Sequence, residues 1–172
     1  MKPINKPYLV MVYGAPGAGK TFFAEQFSDK FRAPFIDLDS LRRQIFKPPT
    51  YLAEESQDVK KLGLSILSNM FRSHAMIVLE GGLDTKKDRR QVIKAAETAG
   101  YQPMLIWVQT DPKTTKSRAR TKLTNAQFEE AVNSLEPPTA KEQPIVVSGK
   151  HTFDTQIKVI LKQLYAQRSQ QA

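Results

Sequence analysis

The chain has 172 residues, about 40% of them hydrophobic, with no cysteine and a formal net charge of +9. This size and composition suit a single domain with one ordinary core, taken here as 1–172. The missing cysteines exclude disulfides and cysteine-based zinc sites, so cytoplasm is the expected compartment. No run approaches the ~20 apolar residues of a membrane span. The positive excess gathers in Lys86–Lys94 and Lys113–Lys122, which suits phosphorylated ligands and equally a polyanionic partner such as nucleic acid.

In chain order, "YLVMVY" (8–13) is the first strand candidate. It is too short for a signal h-region, and glycines follow it at once. Phe23, Phe27 and Phe31 then recur at helical spacing, and "PFIDL" (34–38) is a second strand. The segment 43–62, with its prolines in "FKPPTY", reads as a covering loop before a stripe of Leu64, Leu67 and Phe71. "AMIVLE" (75–80) is the third strand. "TKKD" (85–88) resembles a capping box opening a helix that ends near Gly100. "PMLIWVQ" (103–109) precedes the basic helix "DPKTTKSRARTK", and "TNAQF" (124–128) is another capping signal. The proline-bearing "LEPPTAKEQ" covers the site from the other side, "PIVVSG" (144–149) is the fifth strand, and Ile157, Ile160, Leu161, Leu164 and Tyr165 mark a last helix. Short apolar runs alternating with helical patterns predict a parallel α/β sheet buried on both faces. His74 and His151 form no local ligand pattern.

Gly14, Gly19, Lys20 and Thr21 satisfy G-x-x-x-x-G-K-[ST], with Ala15, Pro16, Gly17 and Ala18 between them. The glycines let the backbone approach an anion closely, and the loop N–H groups with the next helix's N-terminus face it. Lys20 supplies a charge for the β- and γ-phosphates, and the Thr21 hydroxyl suits Mg²⁺. The bland alternative is a glycine-rich turn without a ligand, but the strand-to-helix context argues against it.

No Asp has Gly three residues later, so a GTPase pair of motifs is incomplete, and "TKKD" is better read as a cap. Asp37 and Asp39 fall at the carboxyl end of the second strand, where ligands of open α/β sheets bind. Such a carboxylate can take the proton of an attacking hydroxyl. Asp39 is the candidate base. Asp37 is a candidate substrate contact or a water-mediated Mg²⁺ partner. Either could instead cap the next helix.

The phosphate loop, "IDLDSLRRQI", the strand into "LEGGLDTKKDRRQVIKAAETAGYQPMLIWVQTDP" and the arginine-bearing helix resemble P-loop kinases of the polynucleotide kinase and zeta-toxin type. The likeness runs from about Tyr8 to Lys122. It implies a three-layer P-loop NTPase fold with a five-stranded parallel sheet in the order 2-3-1-4-5, binding ATP and Mg²⁺. It assigns Asp39 as base, Arg42 as a contact to the substrate phosphate, and Glu80 as a group near Mg²⁺. Arg118 and Arg120 would belong to a lid; lid and covering segments fall at about 113–141. Two residues apart on a helix, those arginines face different ways, so one is the main phosphate contact. Arg89 and Arg90 read mainly as a solvated helix face. In this fold the loop of Gly149, Lys150 and His151 passes the base, with a cap at Thr152 or Asp154 as the alternative. The polynucleotide kinases carry Asp-Thr-Asn where this chain has "EGG". The acceptor expected is a small hydroxyl compound, then a nucleic-acid 5′-hydroxyl; an ATP-binding switch with a protein partner is the third reading.

Overall fold

The computed structural model describes residues 6–73 and 75–170, with side chains described as far as 166; His74 lies outside the described residues. Five strands form one sheet: β1 Tyr8–Tyr13, β2 Phe35–Asp37, β3 Ile77–Glu80, β4 Gln102–Gln109 and β5 Ile145–Ser148. All their pairings are parallel, and the order is β2-β3-β1-β4-β5. The helices are α1 Lys20–Phe31, α2 Leu38–Ile45, α3 Ala53–Met70, α4 Lys86–Thr98, α5 Pro112–Ala119, α6 Asn125–Asn133 and α7 Phe153–Gln170.

The near-continuous apolar strands are buried on both faces because helices cover both. On one face Phe23, Ala24 and Phe27 of α1 and Ile157 and Ile160 of α7 pack on Val10, Val12, Ile106 and Val147. On the other, Val59 and Leu67 of α3 and Val92 and Ala96 of α4 pack on Leu9, Met11, Leu79 and Leu105. These are the three expected layers, in the expected strand order. Phe31, read with the buried stripe of α1, is 42% exposed at the helix end.

The capping signals hold. The Asp88 amide donates to Thr85 Oγ1 at 3.1 Å and the Thr85 amide to Asp88 Oδ2 at 3.2 Å, which opens α4. Thr124 and Gln127 form the same reciprocal box at α6. One expectation fails: 43–62 is not all loop, because α3 begins at Ala53. Glu54 and Glu55 in its first turn suit the positive end of the helix dipole, and only the short proline segment before it is irregular.

Candidate active site

The phosphate-loop residues lie between the end of β1 and the start of α1. Gly19 opens α1 with no side-chain cap and no acidic residue in the first turn, which leaves the amino end of the helix to an anion. Lys20 Nζ donates to the Ala15 carbonyl at 3.1 Å, so the ammonium folds back over the loop. Gly17 has φ +78°, and a β-carbon there would collide with the Thr115 carbonyl of α5. The arginine-bearing helix is therefore docked on the phosphate loop at its buried Thr115 face.

Glu80 ends β3 beside Val12 of β1 and Asp37 of β2. Thr21 Oγ1 donates to Glu80 Oε1 at 2.9 Å. Because the hydroxyl donates there, the lone pairs of the Thr21 oxygen stay open. Glu80 is 5% exposed, and its Oε2 is buried without a hydrogen-bond partner. Burial pushes the Glu80 carboxyl above its ordinary range; Lys20 and the Thr21 hydroxyl pull it down, while Asp37 and Asp39 push it further up. Among the described residues no three His, Cys, Asp or Glu side chains gather into a metal cluster. The hydroxyl and the orphaned carboxylate oxygen nevertheless fit a hard, oxygen-seeking cation that takes its other ligands from phosphate and water.

The two aspartates divide their tasks. Asp37 is the N-cap of α2, and its Oδ1 accepts from the amides of Asp39 at 2.9 Å and Ser40 at 3.0 Å. The capping alternative considered for Asp39 is thus met by Asp37. Asp39 is left on the first turn, its side chain 42% exposed, with its carboxylate paired to its helical neighbour Arg43. Leu38, between them, points into the core and is held by glycines. A β-carbon at Gly63 would stand 2.5 Å from its side chain, at Gly81 2.9 Å and at Gly82 2.8 Å.

Arg42, expected at a substrate phosphate, is engaged within the chain. Its Nη1 donates to Glu55 Oε1 at 2.9 Å and to Ser56 Oγ at 3.2 Å, and the guanidinium lies 4.9 Å from the Tyr51 ring centre. Glu55 also accepts from the Thr50 amide and hydroxyl and the Tyr51 amide. Burial would raise its carboxyl, but these donors and Arg42 hold it down at about 2.

The structure separates the two arginines expected of a lid. Both are exposed, but Arg118 Nη1 donates to the Gly149 carbonyl at 3.3 Å and lies beside Gly19, whereas Arg120 is the C-cap of α5. Gly149 itself is pressed on the phosphate loop: a β-carbon there would collide with the Ala18 carbonyl. Thr110 Oγ1 donates to the same carbonyl at 2.9 Å. Lys150 pairs with Asp111, and Thr152 caps α7, accepting from the Thr155 amide at 3.4 Å.

The model of the family described as AAA domain matches residues 9–138. The chain belongs to this AAA-domain family. No curated protein matches the chain. Among solved structures, this AAA-domain protein is similar to a sugar kinase from Janibacter sp. HTCC2649, with TM-score 0.70, 14% identity and coverage of 92% of this chain and 94% of that one. It is similar to a gluconokinase from Sinorhizobium meliloti 1021, with TM-score 0.68, 16% identity and coverage of 95% and 99%. It is also similar to the APS kinase CysC of Mycobacterium tuberculosis in complex with AMPPNP and APS, with TM-score 0.70, 13% identity and coverage of 93% and 98%. At these identities the likeness is one of fold, that of P-loop kinases. It reaches beyond the polynucleotide kinase and zeta-toxin group and does not single that group out.

Three features of this AAA-domain protein were missed in the sequence. Arg89 is not a solvated residue: it is fully buried and paired with Glu142. Its partner lies 53 positions away, and nothing local marks the pair. Glu55 reads as one more helix-start acid. The glycines around Leu38, Gly63 within α3 and Gly81 and Gly82 after β3, were not marked by any local pattern.

Proposed function

We propose that the protein is an ATP- and Mg²⁺-dependent phosphotransferase that passes the γ-phosphoryl group to the hydroxyl of a small acceptor. The observation that carries this reading is the pair of Asp37 and Glu80 at the carboxyl ends of the adjacent strands β2 and β3, with Thr21 of α1 hydrogen-bonded to Glu80, Lys20 beside it in sequence and Asp39 not used as the helix cap. A metal held by Thr21 and Glu80 would neutralise charge on the β- and γ-phosphates.

Asp39 accepts the proton of the acceptor hydroxyl. The freed oxygen forms a bond to the γ-phosphorus as the bond to the bridging β–γ oxygen breaks, and ADP carries away that electron pair. Lys20 and Arg118 stabilise charge spread over the moving group. Arg42 is assigned to shaping the loop at Thr50 and Tyr51, since Glu55 occupies it. The fold likeness to sugar and APS kinases supports a small acceptor. The +9 charge favours a second reading, a nucleic-acid 5′-hydroxyl.

The test is incubation with γ-labelled ATP against pooled metabolites and 5′-hydroxyl oligonucleotides, with Lys20→Ala as control. A labelled acceptor that depends on Lys20 supports the reading. Phosphate release with no acceptor product would favour an ATPase switch.

A further inference from the structure

We infer that the hydroxyl acceptor carries an anionic group, a carboxylate or a phosphate, and that Tyr51 and Arg43 bind it beside Asp39. This rests on the kinase reading above and names the acceptor class for the same site.

The backbone supplies the first observation. Tyr51 has φ +60°, a left-handed conformation that a bulky side chain adopts only against steric resistance. Among the described residues two other non-glycine residues have positive φ, Arg32 and Gln143. Each is a C-cap, where a left-handed residue ends a helix. Tyr51 ends no helix; it stands just before α3. Glycine or asparagine would make the same turn with less strain, so the turn by itself does not account for a tyrosine. Strain of this kind gathers at ligand sites when the surroundings hold it in place.

Here a buried frame holds it. Glu55, 5% exposed, accepts from the Tyr51 amide at 3.1 Å and from the Thr50 amide and hydroxyl at 2.7 and 2.8 Å. Arg42 donates to the same carboxylate and lies against the Tyr51 ring. Both terminal nitrogens of Arg42 also donate to Ser56 Oγ at 3.2 Å. Arg42 and Glu55 are thus engaged with each other and with the loop. What they position is the half-buried Tyr51 side chain, whose hydroxyl meets Arg43. Burial and Asp39 push that phenol above its ordinary range, while Arg43 and Arg42 pull it down, Arg43 also through a hydrogen bond. With Arg43 donating to its oxygen, the phenol keeps its own proton to donate.

The same Arg43 holds Asp39, the proposed base, one turn back along α2. The Asp39 and Arg43 side chains are 42% and 40% exposed, so a ligand reaches the pair from solvent. Held by a guanidinium, the carboxylate is not free to take a hydroxyl proton. An anion on the acceptor gives Arg43 another partner, to which its forked donors are suited, and the Tyr51 hydroxyl adds a further donor. Asp39 is then released to the hydroxyl of the same molecule. Residues four apart rise about 6 Å along a helix, so anion and reacting hydroxyl stand several bonds apart. A neutral acceptor leaves Arg43 on the base. Arg42 is taken by Glu55, which leaves the anion to Arg43.

The full chain is titrated calorimetrically with matched sets that differ in charge: glucose against gluconate and glucose 6-phosphate, and glycerol against glycerate and glycerol 3-phosphate. In at least one set an anionic member is expected to bind ~tenfold or more tightly than its neutral counterpart. The carboxylate and phosphate arms show which anion is read. Tyr51→Phe, which removes the hydroxyl alone, should weaken that member ~tenfold, and Arg43→Gln at least as much, with melting temperature and affinity for an ATP analogue unchanged. Equal affinities for charged and neutral members, no binding by any member, or wild-type anion binding by Tyr51→Phe would each overturn the proposal. So would a Tyr51→Phe chain that melts early yet keeps its anion, as a residue serving only the loop predicts. Binding needs no turnover, so the readings separate. Tyr51-dependent anion binding with no product from γ-labelled ATP would sink the kinase and spare the site. Transfer to neutral acceptors alone would do the reverse.

Discussion

Arg89 and Glu142 form a side-on ion pair in which Nε donates to Oε1 at 2.6 Å and Nη2 to Oε2 at 3.2 Å. Arg89 is fully buried on α4, and Glu142 belongs to the segment that covers the site after α6. The Nη1 of the same guanidinium donates to the Leu83, Asp84 and Glu136 carbonyls at 3.1, 3.4 and 2.8 Å. The same group lies 5.1 Å from the ring centre of Tyr13. One cation thus joins α4, the covering segment and the end of β1. Glu142→Ala strands it, and the expected loss is about 3–5 kcal/mol of unfolding free energy. Urea denaturation measures this. A double change of Arg89 and Glu142 to leucine should recover part of the loss, and a single variant with wild-type stability would remove the pair from this role.

Acid should expose the same construction. Burial would raise Glu142, but Arg89 and the Thr139 donors hold it at about 2; Glu55 is also held at about 2. Both carboxyls start from 4.5 in the unfolded chain. Their folded values are depressed, so their contribution is complete above about pH 4.5 and is lost as pH falls towards 2. Melting temperatures followed from pH 7 to pH 2 should drop within that window. Glu55→Gln and Glu142→Gln should each flatten the drop, and an unchanged slope in both would refute the assignment.

Asp39→Asn should lower phosphoryl transfer by at least ~10²-fold with ATP affinity nearly intact. Retained transfer would show that Asp39 is not the base. The neighbouring cap gives a contrast. Asp37→Ala should cost about 1 kcal/mol of stability, whereas Asp37→Asn keeps an oxygen for the Asp39 and Ser40 amides and should melt like wild type.

The two arginines proposed to close over the phosphates should behave unequally. Arg118→Ala is expected to reduce turnover by ~10–10³-fold, because its guanidinium lies against Gly149 and Gly19. Arg120→Ala should stay within about twofold of wild type. Steady-state rates at saturating ATP decide it; equal losses would remove the distinction.

Gly149→Ala forces a β-carbon onto the Ala18 carbonyl. Calorimetric titration with a non-hydrolysable ATP analogue should show affinity reduced by about tenfold or more, as the loop lifts off the phosphate loop. Unchanged affinity would show that the contact is dispensable for the nucleotide.

The strands, the helix starts and the phosphate loop were legible because each rests on local text: a short apolar run, a capping box, a glycine pattern; the strand order was carried by the resemblance to P-loop kinases and not by any segment. Thr85 and Asp88 are three apart and declare themselves. Arg42 shows the limit. Its spacing from Asp39 matched a kinase pattern, but its partner is Glu55, thirteen residues on, and an acid at the start of a helix looks like an ordinary dipole partner. Arg89 is harder still, since only the folded chain brings Glu142 to it and turns a residue from a basic run into a buried tie.

Leu38 occupies a socket walled by Gly63 of α3 and by Gly81 and Gly82 after β3, and it separates Asp37 from Asp39 by a single step of backbone. Any drift of those three walls reaches both carboxylates through one side chain, with no slack between them. Under the proposed phosphoryl transfer, a β-carbon at Gly63, Gly81 or Gly82 is therefore felt at both acids through Leu38.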